Sequence, residues 1–253
     1  MLTCRLIPCL DVRSGRVVKG VQFQNLRDMG DPATLASAHE AAGADELVML
    51  DITATDEDRG TRLDTVRAVR AAIGIPLTIG GGVRTEADVE HLLGAGADKI
   101  AINTAAITEP AVIGRLAARF GSQCIVASID VRAQPTAPSG FGVVSHAGKR
   151  LTTLDSAEWA ARTESLGAGE ILLTSWDKDG TGDGYDLPAI RAVRARTNLP
   201  IIASGGAALS THFIDAAHAG ADALLAATIF HERPETIRDI KRALTHAGIA
   251  MRP

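Results

Sequence analysis

Two aspartates close apolar runs in matching settings. Asp11 ends Leu6-Ile7-Pro8-Cys9-Leu10, and Asp130 ends Ile125-Val126-Ala127-Ser128-Ile129. A carboxylate at the end of an apolar run is costly to bury without a role. One such group can deliver a proton while the other removes one, each worth about 10²–10⁴-fold in rate. The bland alternative for either is an Asp that caps a loop. Asp51 stands at another strand end, as a helper or as an anchor for its loop.

Two further constellations suit phosphate. Gly80-Gly81-Gly82 and Asn103-Thr104 follow successive strand patterns. Glycine lets a phosphate approach backbone N–H groups, and Asn and Thr add side-chain donors. Gly205-Gly206 and Ala227-Thr228 repeat the arrangement, with Thr174 and Ser204 at neighbouring strand ends. A lone Gly-Gly pair is usually a tight turn, but two such pairs, each beside a hydroxyl, suit a long substrate phosphorylated at both ends. The loop Asp177-Lys178-Asp179-Gly180-Thr181-Gly182 lacks EF-hand spacing. It reads as a substrate-binding loop, with Asp179 and Gly180 near the second phosphate. Lys19, in a long loop after the first strand, is either a mobile charge for one phosphate or a solvated surface lysine.

Four charges sit at the opposite ends of strands. Arg5, Glu46, Lys99 and Glu170 stand at or near strand starts. Two positive and two negative side chains there can close a ring of ion pairs. Such a ring is a salt-bridge plug or a gate on an axial passage for a small neutral molecule.

The elements that must position these groups alternate strictly. Short β-rich apolar runs at 5–11, 46–52, 76–80, 98–103, 124–130, 170–175, 200–204 and 222–227 are each followed by a Gly-rich loop and a helical period. Helix starts are marked by Asp31-Pro32, Thr85 to Asp88, Thr108-Glu109-Pro110, Asp155 to Glu158 and Asp186. Gly43, Gly74, Gly96, Gly121, Gly167 and Gly220 close helices. Eight βα units predict an α/β fold, a (β/α)8 TIM barrel in one domain, with an open doubly wound sheet as the alternative. Active sites of such barrels lie at the C-terminal strand ends, and the loops after strands seven and eight recurrently bind phosphate.

The halves resemble each other. Pro76, Gly81, Gly82, Gly96, Asp98 and Thr104 recur as Pro200, Gly205, Gly206, Gly220, Asp222 and Thr228, a constant shift of 124 (205 − 81, 228 − 104). Arg67 to Arg70 recur as Arg191 to Arg194 at the same shift. A two-fold pseudo-symmetric barrel follows, with half-barrels of about 1–122 and 123–253.

Composition excludes several classes. The 253 residues carry a net charge of −4 with no Lys/Arg block, and aromatics are scarce, which argues against nucleic acid. No apolar run approaches a membrane span, and the N-terminus shows no signal peptide. Cys4, Cys9 and Cys124 are an odd set without zinc-finger spacing and read as reduced thiols of a cytoplasmic protein. No His/Cys cluster suggests a metal.

The segment RLIPCLDVRSGRVVKGVQFQNLRDMGDP, from Arg5 to Pro32, resembles a known family. So do LDITA (50–54), GGGVRT (80–85), DKIAINTAA (98–106), FGSQCIVASIDVR (120–132), GAGEILLTSWDKDGTGDGYD (167–186) and IIASGGA (201–207). The chain is similar nearly throughout to the cyclase subunits of imidazole glycerol phosphate synthase, from histidine biosynthesis. That resemblance implies a lyase with Asp11 and Asp130 as its acid/base pair and no cofactor or metal. Its substrate would be an aminoimidazole carboxamide ribonucleotide bearing a phosphoribulosyl-formimino arm. Ammonia adds, the substrate is split, and an imidazole ring closes. The ammonia would come from a glutaminase subunit docked at the N-terminal face of the barrel, forming a heterodimer. The resemblance favours the gate for Arg5, Glu46, Lys99 and Glu170, and places Asp98 and Gln123 facing the glutaminase.

There are departures. Thr152-Thr153 replaces the family's usual Thr-Gly, residues 133–142 form a Pro/Gly-rich insert, and Trp176 stands where Met or Ile is common. Two rivals remain: the sister sugar isomerase of the same pathway, and a non-catalytic barrel that only activates a glutaminase. Lys19, the Asp-Gly-Thr loop and the charged lower ring disfavour the isomerase, and the intact aspartate pair disfavours the scaffold.

Overall fold

A computed structural model describes residues 3–21, 24–54, 57, 60–146, 148–232 and 236–252. Gln22 and Phe23, inside the family-like N-terminal segment, lie outside the described residues.

Strand β1 (Arg5–Arg13) leads into a hairpin of β2 (Arg16–Val21) and β3 (Gln24–Gly30), then helix α1 (Pro32–Ala41). There follow β4 (Leu47–Asp51), α2 (Leu63–Ala72), β5 (Leu77–Gly80), α3 (Glu86–Gly94), β6 (Lys99–Ile102), the short α4 (Thr104–Thr108) and α5 (Ala111–Phe120). The second half repeats this order. It has β7 (Ile125–Ala133), a hairpin of β8 (Phe141–Ser145) and β9 (Arg150–Asp155), and α6 (Ser156–Ser165). Then come β10 (Glu170–Ser175), α7 (Leu187–Arg194), β11 (Ile201–Ser204), α8 (Ser210–His218), β12 (Ala223–Ala226), the short α9 (Thr228–Glu232) and α10 (Thr236–His246).

Eight parallel strands close in the order β1-β4-β5-β6-β7-β10-β11-β12, with β12 pairing back onto β1. The open sheet is thereby excluded. β1 and β7 lie four strands apart in either direction, so they face each other across the barrel. Their registers match, with Asp11 opposite Leu50 on β4 and Asp130 opposite Thr174 on β10.

Inward side chains such as Ile7, Val48, Ala101, Val126, Leu172, Ile202 and Leu225 pack together inside the barrel. A larger core joins the outer strand faces to the helices. Several helix starts follow the sequence. Asp31, Asp155 and Asp186 accept from first-turn N–H groups, and Thr85 and Asp88 form a reciprocal capping box. Each such cap stabilises by about 1 kcal/mol. Thr108 is different: it ends α4, and α5 starts at Ala111 without a side-chain cap. Gly74 likewise follows an extended Ile73 rather than closing α2 in a left-handed turn.

The two hairpins differ from the sequence reading, which placed a long loop after the first strand and a Pro/Gly-rich insert after the fifth. Val17-Val18 and Val143-Val144 are too short as apolar runs to stand out. They form strands because β1 and β7 extend past the barrel rim and offer free edges. The insert makes the turn between β7 and β8, with Gln134 N–H donating to Gly140 O at 2.8 Å.

Several contacts recur at the shift of 124. Arg70 pairs with Asp98 at 3.0 Å, and Arg194 with Asp222 at 2.9 Å. The same aspartates accept from Leu77 N at 2.8 Å and Ile201 N at 2.9 Å.

Candidate active site

The C-terminal strand ends surround a cavity of about 1240 Å³. Both Asp11 and Asp130 line it, from opposite walls. Lys19 is on β2 rather than in a loop, and is only 6 % exposed. Its ammonium lies 3.2 Å from Asp11 Oδ2 and 3.3 Å from Asp179 Oδ1. The surface-lysine reading is therefore wrong, and Lys19 lines the cavity instead. Burial opposes the charge on Lys19, but the two carboxylates outweigh it and hold the amine above the ordinary lysine range. Burial also raises the Asp179 carboxyl, and the negative charge of Asp11 adds to this while Lys19 opposes it. Beneath Asp11, burial first and then the Asp11 charge push the Cys9 thiol well up, so it stays protonated. Its S–H donates to Asp11 Oδ1 at 3.6 Å.

Asp130 has a different setting. Burial raises its carboxyl from an ordinary 3.8 to about 7. The Asn103 amide, donating to Oδ2 at 2.8 Å, pulls the other way, and the Asp179 charge adds to the rise. The carboxyl thus keeps its proton to a higher pH than an ordinary aspartate does.

Gly81, Gly82, Thr104, Thr174, Asp179, Gly180, Ser204, Gly205, Gly206, Ala227 and Thr228 all line the cavity. The glycines are required by the backbone. Gly81 has φ +94°, and a Cβ there would lie 2.1 Å from Asp51 O. Gly205 has φ +99°, and its Cβ would lie 2.7 Å from Ser175 O, the position 124 residues on (175 − 51). Thr104 and Thr228 open the short helices α4 and α9. Asn103 departs from the expected cradle donor. Its Nδ2 is given to Asp130 and, at 3.4 Å, to Val144 O, because the β8 edge lies above it. Asp51 lines the cavity and also acts as a loop anchor, accepting from Thr53 N at 3.3 Å and Ala54 N at 3.2 Å.

At the other end Arg5, Glu46, Lys99 and Glu170 form a closed ring. Arg5 pairs with Glu46 at 3.0 Å and with Glu170; Lys99 pairs with each glutamate at 2.9 Å. Near this rim Asp98 is held by Arg70 and Leu77 N, while Gln123 is exposed.

Sequence reasoning missed cavity residues carried by the β8–β9 turn, His146 and Lys149. No short-range pattern marks them, because the hairpin that brings them in was not foreseen. Trp176, noted only as a departure, lines the same wall.

Comparison with known proteins adds a family. The family model described as "Histidine biosynthesis protein" matches residues 5–236. Imidazole glycerol phosphate synthase subunit HisF of Nocardia farcinica is 57 % identical over 252 residues, covering 98 % of each chain. The subunit HisF of Mycobacterium leprae is 56 % identical over 255 residues, covering 99 % of this chain and 98 % of that one. That of Mycobacterium tuberculosis is 55 % identical over 255 residues, covering 99 % and 96 %. Among the described residues no helix is long and apolar enough to cross a membrane.

Proposed function

Since this chain belongs to the histidine biosynthesis protein family, alongside the HisF subunits of imidazole glycerol phosphate synthase, we propose that Asp11 and Asp130 are the acid/base pair of its cyclase reaction. The chain is an enzyme of histidine biosynthesis, a lyase, and the subunit of a complex with a partner. In our reading it takes ammonia and the phosphoribulosyl-formimino aminoimidazole carboxamide ribonucleotide. It releases imidazole glycerol phosphate and the aminoimidazole carboxamide ribonucleotide. No metal or organic cofactor enters this scheme.

The observation that carries the reading is one cavity with a carboxyl group on each of two opposed strands, between two glycine turns. Asp130, held near 7, suits the proton donor. Asp11, ion-paired with Lys19, suits the acceptor. One substrate phosphate would seat at Gly81, Gly82 and Thr104. The other would seat at Gly205, Gly206, Thr228 and the Asp179-Gly180 loop. Contacts recurring at 124 residues support two half-barrels, about 1–122 and 123–253. We read the lower ring as a gate for ammonia and the N-terminal face, with Asp98 and Gln123, as the dock for a cytoplasmic glutaminase.

The test is turnover of purified chain with ammonium salt and either the ribulosyl or the ribosyl form of the nucleotide. Turnover of the ribosyl form alone would make the chain the sister isomerase. Asp11→Asn and Asp130→Asn should each abolish ring closure while ligand binding stays measurable. Near-native rates in both would remove the acid/base assignment.

A further inference from the structure

The β8–β9 turn carries a residue that the proposed chemistry has not used. His146 has φ +52°, one of two non-glycine residues with positive φ among the described residues. Such a backbone costs on the order of 1 kcal/mol and persists where its surroundings enforce it. Here the enforcement is visible. His146 N–H donates to Thr104 Oγ1 at 3.1 Å, across 42 residues of sequence. Two residues on, Gly148 (φ +77°) lies flat on the Trp176 ring, where a Cβ would come within 2.3 Å of the ring carbons. The turn is thus docked at two points over the cavity.

The hydrogen bonds also orient what faces the cavity. Thr104 Oγ1 accepts from His146, so its own hydrogen remains for a ligand. Ser145 Oγ lies 3.0 Å from His146 Nδ1 and 3.4 Å from Arg150 O, so the imidazole is held through Nδ1. Nε2 is the ring nitrogen left for the cavity, which His146 lines together with Lys149.

We propose that His146 is a substrate-positioning residue, whose Nε2 binds the phosphate group seated over Thr104 when the β8–β9 turn is docked on Trp176. The proposal rests on the bisphosphate reading above and adds a ligand to it. An N–H at Nε2 donates to an oxygen of a phosphate dianion, beside the Thr104 hydroxyl.

His146→Gly is the discriminating variant, because glycine adopts the positive φ freely and keeps the turn while removing the ring. Two readouts apply: KM and kcat with the full bisphosphorylated substrate, and Kd for inorganic phosphate by calorimetry. A lost hydrogen bond to a charged group predicts KM and phosphate Kd raised about ten- to a hundredfold, with kcat changed far less. The unfolding midpoint should be unchanged or higher. Gly148→Ala, which pushes the turn off Trp176, should reproduce the KM rise. Phosphate and substrate affinities unchanged in His146→Gly would overturn the role of His146 alone. A native Gly148→Ala affinity would overturn the docking requirement. Failure of the native chain to bind phosphate at all would remove the two-phosphate reading and this role with it.

Discussion

Replacing Asp130 by asparagine tests the electrostatics of the cavity apart from its chemistry. Asparagine is nearly isosteric, and its carbonyl can still accept the Asn103 Nδ2 hydrogen bond that Asp130 Oδ2 accepts at 2.8 Å. What changes is the charge. A carboxyl raised by burial from 3.8 to about 7 binds its proton more tightly in the native state than in the unfolded chain. Between about pH 4 and pH 7 the native state therefore holds more protons, and stability falls as pH rises through that window. The full difference is about 4 kcal/mol, at 1.36 kcal/mol per pH unit, and is reached above pH 7. Asp130→Asn escapes this cost. Urea unfolding of both proteins from pH 5 to pH 8 should show the variant more stable at pH 8. The gap should shrink by about 2–4 kcal/mol toward pH 5. A gap constant across that range would mean that the Asp130 carboxyl ionises as it would in water, and the account of its environment would fail.

Three further outcomes are expected. His39 and His231 form a buried pair at 3.1 Å, and burial, then His231, pulls His39 down to about 3. The native state thus binds fewer protons than the unfolded chain below about pH 6.5, and stability drops with falling pH, by about 2 kcal/mol at pH 5. His39→Gln should flatten that slope in denaturant titrations, and a parallel slope would refute the origin; this trend opposes that of Asp130, so each is read against its own variant. Gly81→Ala, with its Cβ 2.1 Å from Asp51 O, should destabilise by more than Gly140→Ala, where φ is +83° but nothing lies within 4 Å. The latter should cost only about 1–2 kcal/mol in thermal unfolding, and equal costs would count against the packing argument. Lys99→Ala should impair glutamine-driven turnover in the complex more than turnover with added ammonium. Equal losses would favour a purely structural ring.

Much of this arrangement is legible in the sequence because parallel strands buried on both faces read as unbroken apolar runs. Ile100 to Ile102 and Ile171 to Leu173 are such runs, and the polar residue after each, Asn103 and Thr174, marks the rim. The lower ring is legible for the converse reason, since charges at strand starts need partners. Lys19 was not legible: its second partner, Asp179, is 160 residues away, and nothing local distinguishes it from a surface lysine. The same holds for Asn103, whose residue type foretold a donor but not that Asp130 would receive it. His146 is placed by a hairpin whose first strand offers only the pair Val143-Val144 and whose second offers no consecutive apolar pair, so its approach to Thr104 is a tertiary fact.

The lower ring has a topological consequence. Each glutamate is bonded to both cations, and each cation to both glutamates. Withdrawing Lys99 alone turns the circuit into an arc still fastened at Arg5, with neither acid orphaned. The perturbation therefore stays below the ~3–5 kcal/mol of a stranded buried charge. A floor wired in this way can part at one corner and reseal there, while the strands it ties together keep their register.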